Sequence, residues 1–109
     1  MKIKEFFQKD RLVLSFEIFP PARERSTREL FATIDTLVTI DPDFISVTYG
    51  AGGSTQEMTF EIASRIKNHV GTEVLTHLTC VEASEKDILE ILGHLEQENI
   101  RNILALRGD

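Results

Sequence analysis

The chain contains one cysteine, Cys80, so no disulfide can close within it and its composition suits a reducing compartment. Basic residues are scarce: 12 Lys and Arg stand against 18 Asp and Glu, for a formal net charge of -6. That balance speaks against a nucleic-acid partner and against a polybasic membrane anchor. No apolar run approaches the ~20 residues needed to cross a bilayer. Met1-Lys2-Ile3-Lys4 leads into a short amphipathic stretch without the apolar centre of a cleavable signal, so a cytoplasmic protein with no membrane partner is expected. Three prolines and six glycines exclude collagen-like and low-complexity chains, while 41% hydrophobic and 28% charged residues predict a globular fold with a buried core. At 109 residues the chain is one domain, or a piece of one.

Hydrophobic periodicity alternates between short runs that suit buried strands and longer 3.6-period stretches that suit amphipathic helices. After a short opening helix carrying Ile3, Phe6 and Phe7, strands are predicted over 12–19 (LVLSFEIF), 44–49 (FISVTY), 73–79 (EVLTHLT) and 102–106. Between them, Ser26 with Glu29, Ser54 with Glu57, and Ser84 with Asp87 mark three helix starts. Asp41-Pro42 and Gly71 end the first two helices. The order is βαβαβαβ, with strands recurring about every 30 residues, the length of a strand plus its crossover helix. A parallel α/β sheet follows, either half of an eight-stranded (β/α)8 TIM barrel or part of an open doubly wound sheet. No linker divides the chain, which stops at Asp109 directly after the fourth strand and reads as cut short. Unpaired sheet edges would make such a piece prone to self-association.

Parallel sheets bind ligands where the strands end, and here each strand delivers polar groups to that rim. The first ends in Glu17-Ile18-Phe19-Pro20-Pro21, the second in Thr48-Tyr49-Gly50-Ala51, the third in His77-Leu78-Thr79-Cys80, the fourth in Arg107-Gly108-Asp109. Glu17, between Phe16 and Ile18, is expected in an apolar setting that raises its pKa and suits it to act as a general acid. An ion pair with Arg107 is the structural alternative. His77 shares a strand face with Leu75 and Thr79, where it serves either a bound cofactor or the fold itself. His77 and Cys80 have no second ligand pair, so no metal is predicted. The run Gly50-Ala51-Gly52-Gly53-Ser54 lacks the Lys of a phosphate-binding P-loop, and Thr55 stands where a dinucleotide fingerprint needs its last glycine. It reads as a βα loop. Arg107 can donate to anionic or carbonyl oxygens, and Asp109 can orient a ligand.

Four segments, SFEIFPP (Ser15 to Pro21), SVTYGAGGS (Ser46 to Ser54), HLTC (His77 to Cys80) and LALRGD (Leu104 to Asp109), occur in the order in which the chain resembles the methylenetetrahydrofolate reductase family. The resemblance runs from the first strand to the last residue. It implies that residues 1–109 are the amino-terminal half of a single FAD-binding TIM-barrel catalytic domain. It further implies reduction of 5,10-methylenetetrahydrofolate to 5-methyltetrahydrofolate by NADH or NADPH, in ping-pong fashion, with hydride passing through flavin. By motif, Glu17 corresponds to the general acid that protonates N10 of the folate as its five-membered ring opens. Thr48, Tyr49, Ala51, His77, Arg107 and Gly108 correspond to cofactor-binding positions, and Asp109 to a position that contacts cofactor and pterin. The resemblance also implies a homo-oligomer with small-molecule substrates, and the 109 residues alone are expected to be inactive. A non-catalytic half-barrel interaction module without flavin is the alternative.

Overall fold

A computed structural model describes residues 1–8, 10–21, 25–49 and 56–108, without the side chains of Arg25 and Ser26. Period-two stretches form four strands, β1 (Ser15–Ile18), β2 (Phe44–Val47), β3 (Glu73–Thr79) and β4 (Ile103–Leu106). They pair parallel in the order β1, β2, β3, β4, with Glu17 opposite Ser46, Ser46 opposite Leu75, and His77 opposite Leu104. The 3.6-period stretches form α1 (Arg25–Leu37), α2 (Gln56–Arg65) and α3 (Glu85–Gln97).

Alternation sorts the strand residues between two faces. Ile18, Ile45, Val47, Val74 and Leu78 join Phe31 and Ile34 of α1, Phe60, Ile62 and Ala63 of α2, and Leu95 of α3 in one apolar cluster. All three helices therefore cover the same side of the sheet. A doubly wound sheet reverses its strand order and carries helices on both faces, whereas sequential order with one helix layer is the winding of a β/α barrel. The architecture is α/β and corresponds to half of a TIM barrel.

Element ends follow local chemistry. The Ser84 hydroxyl accepts from Asp87 N–H at 3.1 Å and the Asp87 carboxylate accepts from Ser84 N–H at 3.0 Å, a complete capping box at the start of α3. After α2 the chain widens into a π-helical turn, Ile66–Val70, and Gly71 ends it at φ 86°, where a side chain would be strained. Asp41, at φ 60°, closes the 3-10 turn Val38–Ile40 that follows α1. Helix α1 begins at Arg25, one residue before the expected Ser26 start, and the Ser54 start lies outside the described residues. β1 is shorter than 12–19 because Asp43 holds the chain before it. The Asp43 carboxylate accepts from Leu14 N–H at 3.0 Å and from Arg11, leaving Leu12 86% exposed. Among the described residues, no helix is long and apolar enough to cross a membrane.

The amino ends of the strands are sealed by the opening segment Ile3–Gln8, whose Phe6 stacks on Phe44 at 6.4 Å. Glu73, buried at the start of β3, accepts from the Met1 ammonium and from Lys67 Nζ, both at 2.8 Å, and from Asn102 Nδ2 at 3.1 Å. Asn102 Oδ1 in turn accepts from Ile3 N–H at 2.9 Å. Burial pushes the Glu73 carboxyl up, but the hydrogen bonds and charges of Lys67 and the Met1 ammonium outweigh it and hold the group below its ordinary 4.5. A depressed carboxylate stabilises the fold fully above its ordinary pKa, and the contribution is lost as pH falls through the lower folded value. Glu73→Gln is expected to cost about 1–3 kcal/mol at neutral pH in denaturant unfolding. The gap from the parent chain should close below pH 4.5; a gap constant with pH contradicts the assignment.

Candidate active site at the carboxyl ends of the strands

With apolar side chains committed to the helices, the opposite sheet face carries Glu17 from β1, Ser46 from β2, and Leu75, His77 and Thr79 from β3. Three of these side chains meet. Ser46 Oγ donates to Glu17 Oε1 at 3.2 Å and lies 2.8 Å from His77 Nε2, while His77 Nε2 is 3.4 Å from Glu17 Oε1. Ser46 and His77 are buried, at 6% and 8% exposure, but the Glu17 side chain is 51% exposed. The carboxylate thus stands at the solvent edge of a buried polar pair.

This corrects the expectation that Glu17 sits in an apolar setting. Phe16 and Ile18 are its neighbours in sequence, but in a strand they point to the other face, so they do not desolvate it. The partner of Glu17 is the Ser46–His77 pair, and Arg107, exposed beyond β4, does not pair with it. Ser46 itself has no signal in sequence, because only the register that sets it opposite Glu17 reveals its role.

Of the remaining expected site residues, those described do not join this cluster. Thr48, just past β2, has its backbone pinned on both sides: its N–H donates to Ile18 O at 3.0 Å and its carbonyl accepts from the buried Thr59 hydroxyl of α2 at 2.9 Å. Tyr49 turns toward the helix layer, its ring 6.0 Å from that of Phe60. Gly108, at φ 86°, passes so close to Thr79 that an added Cβ would collide with the Thr79 methyl and meet Val81 at 3.0 Å. Only glycine fits there. Cys80 N–H donates to Leu106 O at 2.8 Å, joining the ends of β3 and β4. Ala51 and Asp109 lie outside the described residues, as does the Gly50 to Ser54 run. Among the described residues, no group of three or more His, Cys, Asp or Glu could hold a metal ion.

The open face also has an apolar part. Leu104 and Leu106, opposite His77 and Thr79, are 40% and 39% exposed. A flat heteroaromatic group with a polar edge needs such a wall beside hydrogen-bonding side chains, and the residues present fit that chemistry.

A singly wound parallel β/α sheet with a carboxylate, hydroxyl and imidazole gathered where its strands end defines the class: a barrel-type domain with an enzyme-like rim. The chain belongs to the methylenetetrahydrofolate reductase family, whose model matches residues 2–109. It is 44% identical over 108 residues to a protein of Oryza sativa named probable methylenetetrahydrofolate reductase (NADH), covering 99% of this chain and 18% of that protein. It is 41% identical over 99 residues to a protein of Pectobacterium carotovorum and 40% identical over 96 residues to one of Escherichia coli, both named 5,10-methylenetetrahydrofolate reductase. These alignments cover 91% and 88% of this chain, but 33% and 32% of the relatives. The chain therefore spans between about a fifth and a third of the length of these proteins.

Burial raises the Tyr49 phenol above its ordinary 10.0, and the charge of Cys80 adds to the shift. Tyr49 is the only tyrosine, so an ultraviolet absorbance titration reads it alone. A midpoint above 10.0 that moves down in Cys80→Ala is expected; a midpoint at or below 10.0 places the ring in solvent.

Proposed function

We propose that residues 1–109 are the amino-terminal half of a single FAD-binding catalytic barrel that reduces 5,10-methylenetetrahydrofolate to 5-methyltetrahydrofolate, with NADH or NADPH as reductant. Bound FAD would supply the hydride-transfer chemistry between nicotinamide and folate. Glu17 is the general acid: its carboxyl gives a proton to N10 of the folate as the five-membered ring opens. Thr48, Tyr49, Ala51, His77, Arg107, Gly108 and Asp109 hold cofactor and substrate, Asp109 contacting both. The protein acts in the cytoplasm as a homo-oligomer, and the 109 residues alone are inactive.

The observation that carries this reading is the Glu17 carboxylate. It is exposed on the helix-free face, at the carboxyl end of β1, yet anchored from behind by Ser46 and His77. A carboxylate that merely stabilised the sheet would be buried with its partner, whereas an acid must reach a ligand and still be held in one orientation. The NADH named in the Oryza sativa relative favours a nicotinamide reductant.

The full-length protein carrying Glu17→Gln tests the acid role, because the two half-reactions separate it from binding. Reduction of bound flavin by NADH should stay within a factor of about two. Folate reduction should fall by about 10²-fold or more, the usual contribution of a positioned acid. Equal loss in both half-reactions contradicts the assignment.

A further inference from the structure

Ser46 lies between the two functional candidates of β1 and β3, and its hydroxyl touches both. A hydroxyl owns one proton and can accept through its lone pairs. With that proton given to the Glu17 carboxylate at 3.2 Å, the 2.8 Å contact is made by a proton on His77 Nε2 pointing at Oγ, one of the two tautomers open to the ring. In that arrangement Nε2 carries the proton of the neutral ring, and among the described residues none hydrogen-bonds Nδ1. The direct path from Nε2 to Oε1, at 3.4 Å, is longer than either leg through Ser46 and beyond good hydrogen-bond distance.

We propose that Ser46 is a proton relay that restores the acid form of Glu17 from His77, an inference that rests on the reading of Glu17 as the general acid. Once Glu17 has given its proton to substrate, the Ser46 hydroxyl proton passes to Oε1 and the Nε2 proton passes to Oγ. His77 takes a proton from solvent at Nδ1. One proton enters at His77 and one arrives at Glu17, Ser46 is regenerated, and nothing is oxidised or reduced. His77 ends in its other tautomer and returns by exchange with solvent. Ser46, acting through Glu17, is a positioning and relay residue that needs no contact with substrate. Its burial keeps bulk water from replacing it in the chain.

The test uses the full-length, FAD-loaded protein with Ser46→Ala and Ser46→Thr, Glu17→Gln being run beside them. In Ser46→Ala, kcat for folate reduction should fall by about 10-fold or more, within the range of proton-transfer effects. KM for folate and flavin reduction by NADH should stay within about twofold, and Ser46→Thr, which keeps the hydroxyl, should recover most of kcat. Nitrogen NMR of the unmodified protein, with His77 assigned against His77→Gln, should show the neutral ring protonated at Nε2. Wild-type kcat in Ser46→Ala, equal slowing of both half-reactions without recovery in Ser46→Thr, or a neutral His77 protonated at Nδ1 would overturn the relay. Folate turnover that survives Glu17→Gln removes the acid itself. Turnover lost in Glu17→Gln but intact in Ser46→Ala removes only the relay.

Discussion

Parallel, in-register pairing of four strands forces every odd and even side chain to opposite faces, and the rest of the molecule is arranged around that division. Ile18, Ile45, Val47, Val74 and Leu78 all fall on one face, which obliges α1, α2 and α3 to pack there. The other face is thereby released from the demands of the core. Glu17, Ser46 and His77 can occupy adjacent strands without disturbing the apolar cluster, and their mutual hydrogen bonds answer the cost of burying two of them.

The two ends of the sheet are treated differently. At the amino end, Glu73 and Asn102 are tied by Lys67, Met1 and the backbone of Ile3 into a knot closed over by Phe6. That arrangement spends its polar groups on each other. At the carboxyl end, the Glu17 side chain keeps half its surface in solvent, and Leu104 and Leu106 remain partly exposed beside His77 and Thr79. Rigidity at one end and unspent polar and apolar surface at the other is what a parallel β/α domain needs to hold reactive groups in place while leaving them accessible. Gly108, pressed against Thr79, and the hydrogen bond from Cys80 to Leu106 extend that rigidity into the segments following β3 and β4.

The sequence made most of the fold legible because the fold is written in local signals. Alternating strands, the Ser84 and Asp87 box, and Gly71 at the end of the second helix each name their own structure without reference to distant residues. Strand ends were less legible, since the late start of β1 is set by Asp43, some thirty residues away. The winding of the sheet became decidable only once strand order and helix side were known. Glu17 and His77 stand out as polar residues in apolar strands, but the surroundings of Glu17 depend on cross-strand neighbours, and Phe16 and Ile18 are poor guides to them. Ser46 is an ordinary strand serine until the register sets it between a carboxylate and an imidazole.

In the proposed function, one face of this sheet presents Glu17, Ser46 and His77 as a single hydrogen-bonded unit toward the flavin. A crystal structure of the full-length protein with FAD bound measures this most directly. Ser46 Oγ should lie within hydrogen-bond distance of both the Glu17 carboxylate and His77 Nε2, with the flavin ring on that face. Three separated side chains, or a flavin bound on the side of α1, α2 and α3, would contradict it.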